Sequence, residues 1–189
     1  MLSISNAPAD TGERILAAAA SCIVDFGVDR VTLAEIARRA GVSRPTVYRR
    51  WPDTPSIVAA LLTQHVLGVM REAPLHADDR ESLVRQVVTV ANLLRRDELV
   101  ASVMHSQLAS TYITERLGAS QQMLIDALAE RLRAAQRHGS VRAGNPLQMA
   151  TMVLLIAQST IQSEQIVRPI LDADALATEL AYSLNGYLS

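Results

Sequence analysis

The stretch TLAEIARRAGVSRPTVYRRW, residues 32–51, predicts two short helices joined by a tight turn. Thr32, followed three residues later by Glu35, forms the pattern of a capping box, so the first helix is expected to start directly after Thr32. Gly41 is expected to end that helix, because glycine readily adopts the left-handed conformation that closes a helix. Ser43 is a favourable N-cap for the second helix. The stretch is therefore a candidate helix-turn-helix.

The second of these helices is predicted to have one apolar side and one exposed side. At 100° per residue, Val47 and Trp51 share the face that packs inward. Arg44 and Arg50 flank that face, where long side chains reach DNA phosphates. The outer face has no buried partner, and its residues are expected to approach base edges: Pro45, Thr46, Tyr48 and Arg49. The predicted DNA-binding set also contains the two capping residues, Thr32 and Ser43.

Positive charge is concentrated in the same stretch. The 189-residue chain carries 18 basic and 19 acidic residues, with a formal net charge of −1. Residues 38–50, in contrast, contain five arginines and no acid. Arginines bind phosphates through their planar fork and displace counterions from DNA. A solvated arginine face is the alternative interpretation, but the capped helices and the glycine turn favour DNA binding.

The motif resembles the DNA-binding domain of the TetR-type family of bacterial transcriptional regulators. Upstream, TGERILAAAASCIVDFGVDRVT is similar to that family's first helix and the following loop, and downstream WPDTPSIVAALL looks like the entry to its fourth helix. Two positions depart from the family pattern. Thr54 stands where the family commonly has a lysine that contacts phosphate, and Pro45 stands where glycine is frequent.

The remainder of the chain has helical patterning and no strand-turn-strand signal, so an all-α fold is predicted. A three-helix DNA-binding domain is expected over residues 1–53, followed by a larger helical domain of five or six helices over residues 54–189. A helix at about residues 55–71 is expected to join the two, because so small a DNA-binding domain buries only a modest core. Breaks between the helices are predicted near residues 74–79, 95–98, 110, 138–146 and 168–172.

A homodimer is the expected assembly. Residues 145–163 contain no charged side chain but are interrupted by polar ones, so no membrane span is predicted. A charge-free helix must be covered nearly all round, and a second subunit is a suitable cover. The resemblance implies that the last two helices form the dimer interface, with candidate residues Leu155, Gln158, Leu176, Leu180 and Leu184. Two recognition helices related by a two-fold axis suit a palindromic operator of double-stranded DNA.

The resemblance also implies a small-molecule effector that enters the helical domain, shifts the connecting helix and releases a repressor from its operator. Because the helical domain has few aromatic residues and few predictable buried charges, an apolar, aliphatic pocket is expected. Its candidate lining is Met104, His105, Tyr112, Met123 and Met152. Methionines at helical spacing are also typical of core packing, and His105 is equally compatible with the core or the surface.

Other classes of function have less support in the sequence. No phosphate loop, nucleophile elbow, cysteine pair or HExxH motif is present, so no enzyme, cofactor or metal site is expected.

AGVSRPTV is also similar to the LacI-type motif, but that motif normally opens the chain before a long sugar-binding domain. ILAAAASC is too short and too acidic in its flanks for a signal peptide, so a cytoplasmic location is expected. A helical adaptor without operator binding is the alternative function, supported by Thr54.

Overall fold

The computed structural model describes residues 10–73, 76–104, 106 and 119–189, and within them the regular structure is helical, without strands. The predicted all-α fold is confirmed. A single 3₁₀ turn, Val28–Arg30, follows the first helix. The α-helices of the described part are α1 Thr11–Phe26, α2 Leu33–Ala40, α3 Arg44–Arg50, α4 Thr54–Glu72, α5 Arg80–Arg95, α6 Glu98–Met104, α7 Ala119–Arg137, α8 Pro146–Val167 and α9 Ala173–Leu188.

Most helix boundaries are set by a side chain that caps the first turn. The carboxylate of Asp53 accepts from the Ser56 amide at 2.7 Å, and that of Asp79 accepts from the Ser82 amide at 2.7 Å. Asn145 and Asp172 cap α8 and α9 in the same way. Such caps satisfy amides that have no partner within the helix. The predicted breaks at 74–79, 95–98, 138–146 and 168–172 coincide with the observed ends, whereas the break near Ser110 lies outside the described residues.

Two hydrophobic cores organise the subunit. The first lies among α1, α2, α3 and the beginning of α4, and its largest fully buried side chains include Ile15, Ile23, Ile36 and Ile57. The second lies among the end of α4 and α5, α7, α8 and α9, around side chains such as Leu132. The first core is built mainly from residues 15–61, together with Leu99 and Val103, and the second from residues 70–188.

The helix α4 belongs to both cores. It contributes Ile57, Val58 and Leu61 to the first core and Met70 to the second, and Leu62 packs against both. The predicted domain boundary between residues 53 and 54 thus coincides with the start of α4, but the apolar packing continues across it. The two cores therefore share one continuous helix.

The leucine stripe of α9 corrects part of the predicted dimer interface. Leu176, Leu180 and Leu184 are at most 6% exposed within the subunit, because this face of α9 packs against α5 and α8. They cannot meet a partner subunit without leaving their own core. The apolar side chains that α8 and α9 leave exposed are others: Leu147, Met152, Leu155, Ile166 and Tyr182.

Within the described ranges, no helix is both long enough and apolar enough to cross a membrane. The helix α8, which has the longest charge-free stretch, alternates buried residues such as Val153 with exposed ones such as Leu155. Its apolar character is therefore divided between the subunit core and the surface.

Candidate DNA-binding surface and helical-domain cavity

The turn between α2 and α3 is closed by Gly41, whose φ of 65° lies in the left-handed region. The amide of the next residue, Val42, donates to the carbonyl oxygen of Ala37 at 3.0 Å. Arg14 of α1 donates from Nη2 to the carbonyl oxygen of Ala40 at 2.8 Å, so a second helix also caps α2. The predicted glycine turn is confirmed, and Arg14 fixes its position against α1.

The two predicted caps are present, although the capping box is only half formed. Thr32 accepts from the amide of Glu35 at 3.2 Å, and Ser43 accepts from the amide of Thr46 at 3.4 Å. The carboxylate of Glu35 instead binds Arg38, with Nη2 at 2.6 Å from Oε1. This hydrogen bond lowers the pKa of Glu35 from its usual value. Both helices therefore start where the sequence predicts.

The outer face of α3 carries the side chains that the sequence assigns to DNA. Val47 is fully buried and Trp51 is nearly so, and these two residues anchor α3 to the first core. Tyr48 is 51% exposed. Arg44, Pro45 and Arg49 are exposed and Thr46 is half-buried, while the caps Thr32 and Ser43 are exposed beside them. The eight predicted residues thus lie on α3 or directly before α2 and α3, with exposed or half-buried side chains.

The arginines of this region are not equally free. Arg38 is paired with Glu35, Arg39 with Asp25 at 2.5 Å, and Arg50 with Asp10 at 3.4 Å. Arg39 also lies over the ring of Phe26, 5.1 Å from its centroid. Its hydrogen bond to Asp25 raises the pKa of Arg39. Among the described residues, Arg44 and Arg49 have no acidic partner, so their charges are fully available to phosphate or base edges.

Arg50 turns away from the outer face of α3 and lies across the start of α1. Its guanidinium occupies the space where a side chain at Gly12 would be, and it lies 5.4 Å from the ring centroid of Trp51. Both side chains of the ion pair between Arg50 and Asp10 are exposed to solvent. Exposed ion pairs are worth at most about 1 kcal/mol, so phosphate can compete for this arginine.

The second core contains a cavity of about 190 Å³ between α4, α5, α6, α7 and α8. Two of the five candidate pocket residues, Met123 and Met152, are absent from its described lining. Met123 and Met152 are 55% and 41% exposed and lie outside it, because both point from their helices to the surface. His105, Tyr112 and the Met104 side chain lie outside the described residues. Gln158, which the sequence assigns to the dimer interface, is among the residues that line the cavity.

The sequence reasoning missed Gln86, which is 2% exposed at the cavity wall. Its amide nitrogen donates to the carbonyl oxygens of Met70 and Ala73, both at 3.0 Å, and its carbonyl oxygen accepts from Arg131. Burial lowers the pKa of Arg131. Gln86 therefore holds the end of α4 against α5 and α7. A long polar side chain among the mainly apolar buried positions of α5 was the available signal.

The helix α6 separates the cavity from the first core. Val100 lines the cavity, whereas Leu99 and Val103 are buried in the first core, where α6 packs against α1. Asp97 caps α6 by accepting from the Val100 amide at 3.0 Å. The helix α6 therefore contacts both the cavity and the core that supports α3.

The described residues offer few other groups that could bind a metal ion or act as a nucleophile. They contain no group of three or more His, Cys, Asp and Glu side chains that could hold a metal ion. Cys22 is fully buried in the first core, and burial raises the pKa of its thiol. A neutral buried thiol is a poor nucleophile.

Comparison with known proteins identifies the class to which this surface belongs. Residues 15–61 match the family described as "Bacterial regulatory proteins, tetR family". The chain is 71% identical over 188 residues to the uncharacterized HTH-type transcriptional regulator Rv2250c of Mycobacterium tuberculosis, covering 100% of both chains. The chain belongs to the tetR family and is a helix-turn-helix transcriptional regulator.

Solved structures show the same fold at low sequence identity. The transcriptional repressor QsdR of R. erythropolis superposes with a TM-score of 0.73 at 18% identity, over 96% of this chain and 98% of that one. RolR, solved in complex with resorcinol, superposes with a TM-score of 0.71 at 17% identity, over 95% of this chain and 87% of that one. Both structural similarities extend through the helical domain.

Proposed function

We propose that this regulator binds a palindromic operator as a homodimer and represses transcription until a small apolar molecule fills the cavity. The observation that carries the proposal is the outer face of α3, where Arg44 and Arg49 are exposed without acidic partners among the described residues, at the end of a rigidly capped helix-turn-helix. Exposed cations on such a helix suit the major groove.

Within this proposal the exposed residues divide into two roles. Tyr48, Arg49, Pro45 and Thr46 contact base edges, since they lie along the outer face of α3. Arg44 contacts phosphate, and Arg50 does so after leaving Asp10, because both flank the buried face. Thr32, Ser43 and Thr54 lie at helix starts and offer hydroxyl groups to the backbone of DNA.

The homodimer is supported by the apolar side chains that the subunit leaves uncovered on its last two helices. Leu155, Ile166 and Tyr182 are 49%, 80% and 78% exposed. Exposed large apolar side chains grouped on one face are typical of an interface. A two-fold dimer would place its two copies of α3 about 34–36 Å apart for successive major grooves.

Effector release is supported by the position of the cavity. Its wall includes Leu62 of α4 and Val100 of α6, and both helices also pack in the first core. A ligand changes operator affinity only if it binds the DNA-bound and free conformations differently. A coupling of about 1–3 kcal/mol would change operator affinity about 5- to 150-fold. Repression agrees with the similarity to QsdR, a transcriptional repressor, and a small-molecule effector agrees with the resorcinol bound in RolR.

The test is binding selection of the purified protein from random duplex DNA, at low and at near-physiological salt. The wild type is expected to enrich a palindrome at both salt concentrations. Arg49→Ala is expected to lose that enrichment while retaining salt-sensitive binding to any duplex. Arg85→Ala is the matched control, because it removes the same charge from an exposed i,i+4 pair with Glu81 on α5. Sequence-blind binding by the wild type would favour the helical adaptor.

A further inference from the structure

Arg49 lies at the centre of the outer face of α3. It is two residues away from Val47 and two away from Trp51, so its side chain leaves the helix about 160° from each of them. Val47 is fully buried and Trp51 is 8% exposed, and these two residues determine which side of α3 faces the first core. When the opposite side enters the major groove, Arg49 is directed at the floor of the groove, where the base edges lie.

The two other arginines of α3 are directed elsewhere. By the same geometry, Arg44 and Arg50 leave the helix within about 80° of the centre of its buried face. They therefore extend toward the walls of the groove, which the phosphates form. Arg50 is also paired with Asp10, with 3.4 Å between Nη2 and Oδ2. Arg49 is thus the arginine of α3 that is directed at base edges.

The side chains around Arg49 on the outer face offer little hydrogen bonding. Pro45 has no side-chain donor or acceptor. The hydroxyl groups of Ser43 and Thr46 bond to each other, with 2.7 Å between the two oxygens. Tyr48 leaves α3 about 100° away from Arg49, on one flank of the outer face. Hydrogen-bonded recognition at the centre of α3 therefore depends on Arg49.

The guanidinium of Arg49 is free to select a base. Its side chain is exposed and has no acidic partner in the part of the chain that the structure describes. A guanidinium is a planar fork of donors without an acceptor. In the major groove guanine presents two neighbouring acceptors, O6 and N7, whereas adenine and cytosine present an amino donor and thymine presents a methyl group beside O4. The fork of Arg49 therefore matches guanine.

We propose that each half-site of the operator contains a guanine that Arg49 binds through O6 and N7, and that this base pair is the one that α3 selects most strongly. The inference rests on the proposed function, since it names the base that the same surface recognises. In a two-fold dimer the two guanines occupy equivalent positions on opposite strands of the palindrome.

The first experiment repeats the binding selection from random duplex DNA with Arg49→Gln. The wild type is expected to require guanine at one position of each half-site. Arg49→Gln is expected to lose this preference and to gain one for adenine at the same position, because glutamine pairs with N6 and N7 of adenine. Loss of the guanine preference at that position alone also supports the contact. The same preferred base in the wild type and in Arg49→Gln would overturn the proposal.

Arg44→Gln is the matched control for this selection, because it makes the same chemical change on the flank of α3. It is expected to weaken binding to every duplex and to leave the preferred bases unchanged, since Arg44 is assigned to phosphate. If Arg49→Gln behaved in the same way as Arg44→Gln, Arg49 would contact phosphate and the proposal would be wrong.

The second experiment replaces the selected guanine and uses the wild-type protein, so it does not depend on the folding of a variant. Deazaguanine with carbon in place of N7 lacks one acceptor, and it is expected to weaken binding at least about fivefold. Hypoxanthine keeps O6 and N7 and lacks only the minor-groove amino group, so its affinity is expected to stay close to that of guanine. Fluorescence anisotropy measures both duplexes. Equal binding of deazaguanine and guanine, or a larger loss with hypoxanthine, would contradict the assignment.

The same duplexes show whether Arg49 is the residue that contacts N7. Deazaguanine is expected to have no further effect on the affinity of Arg49→Ala, because N7 then has no partner to lose. An equal relative loss in the wild type and in Arg49→Ala would assign N7 to another residue and overturn the proposal.

The selection also separates this inference from the proposed function. A palindrome with an Arg49-dependent guanine in each half-site supports both. If the wild type enriches a palindrome without such a guanine, the base assignment is wrong and the proposed DNA-binding function stands. If the wild type binds all duplexes alike, the proposed function and the base assignment both fail.

Discussion

His65 and Asp97 form a hydrogen bond that joins the middle of α4 to the start of α6, with Nε2 of His65 at 2.8 Å from Oδ2 of Asp97. The other carboxylate oxygen of Asp97 accepts from the amide of Val100 and so caps α6. One side chain therefore connects the two helices that border both cores. The cap and the hydrogen bond to His65 are separable by substitution, because asparagine retains a side-chain oxygen that caps α6 and removes the carboxylate that His65 contacts.

Asp97→Ala is expected to lower the free energy of unfolding by about 1–2 kcal/mol, since it removes the cap of α6 together with the hydrogen bond to His65. Asp97→Asn is expected to cost less than about 1 kcal/mol, because the asparagine side chain still caps the helix. Urea denaturation followed by circular dichroism measures both values. Equal losses in the two variants would mean that the charge of Asp97, and not its cap, supports α6.

Asp10→Asn is expected to raise the affinity for every duplex by up to about fivefold, because the ion pair that holds Arg50 away from DNA is worth at most about 1 kcal/mol. Fluorescence anisotropy with specific and unrelated duplexes, repeated over a range of salt concentrations, measures this effect. Asp29→Asn is the control, since Asp29 is an exposed acid of the same domain. A comparable gain in the control would attribute the effect to net charge rather than to Arg50.

Gly41→Ala is expected to destabilise the protein by about 1–2 kcal/mol, because a side chain is strained at the left-handed φ of the turn. Gly68→Ala in α4 is its counterpart, since a Cβ atom there meets no neighbouring atom within 4 Å. That substitution is expected to stabilise the protein by about 0.5–1 kcal/mol. Thermal and urea denaturation compare the two. If Gly41→Ala left the stability of the protein unchanged, the turn would have to adopt another conformation.

Leu155→Glu is expected to convert the dimer to monomers without loss of helix content, because Leu155 is 49% exposed on the face assigned to the partner subunit. Sedimentation velocity measures the oligomeric state, and circular dichroism measures the helix content. Leu93→Glu provides a control at similar exposure, 48%, on α5. A dimer that survives Leu155→Glu would locate the interface on another surface.

The sequence predicted those parts of the fold that depend on neighbouring residues. Thr32, Gly41 and Ser43 act within a few residues of their own positions, so the start and end of α2 and the start of α3 were correctly predicted. Arg50 and Asp10 are 40 residues apart in the sequence, and no local pattern predicts that they pair. The count of arginines therefore overestimated the number of positive charges without an acidic partner on the DNA-binding surface.

The faces of the later helices were harder to predict. Leucines four residues apart show that one side of α9 is buried, but the spacing does not say whether its partner is the same subunit or another. Leu180 is buried in its own core, whereas Tyr182 is exposed. The cavity was likewise assigned to bulky methionines, although a cavity forms where side chains are too small to meet. Its described wall consists mainly of Val, Ala, Leu and Gln residues.

The sharing of α4 and α6 between the two cores makes the chain one cooperative folding unit. A fragment ending at residue 53 would lose Ile57 and Val58 from α4 and Leu99 and Val103 from α6, all of which are buried among its own side chains. We therefore expect heating to produce a single transition in which both cores melt together. A chimeric regulator that contains this helix-turn-helix would therefore also need α4 and a substitute for α6.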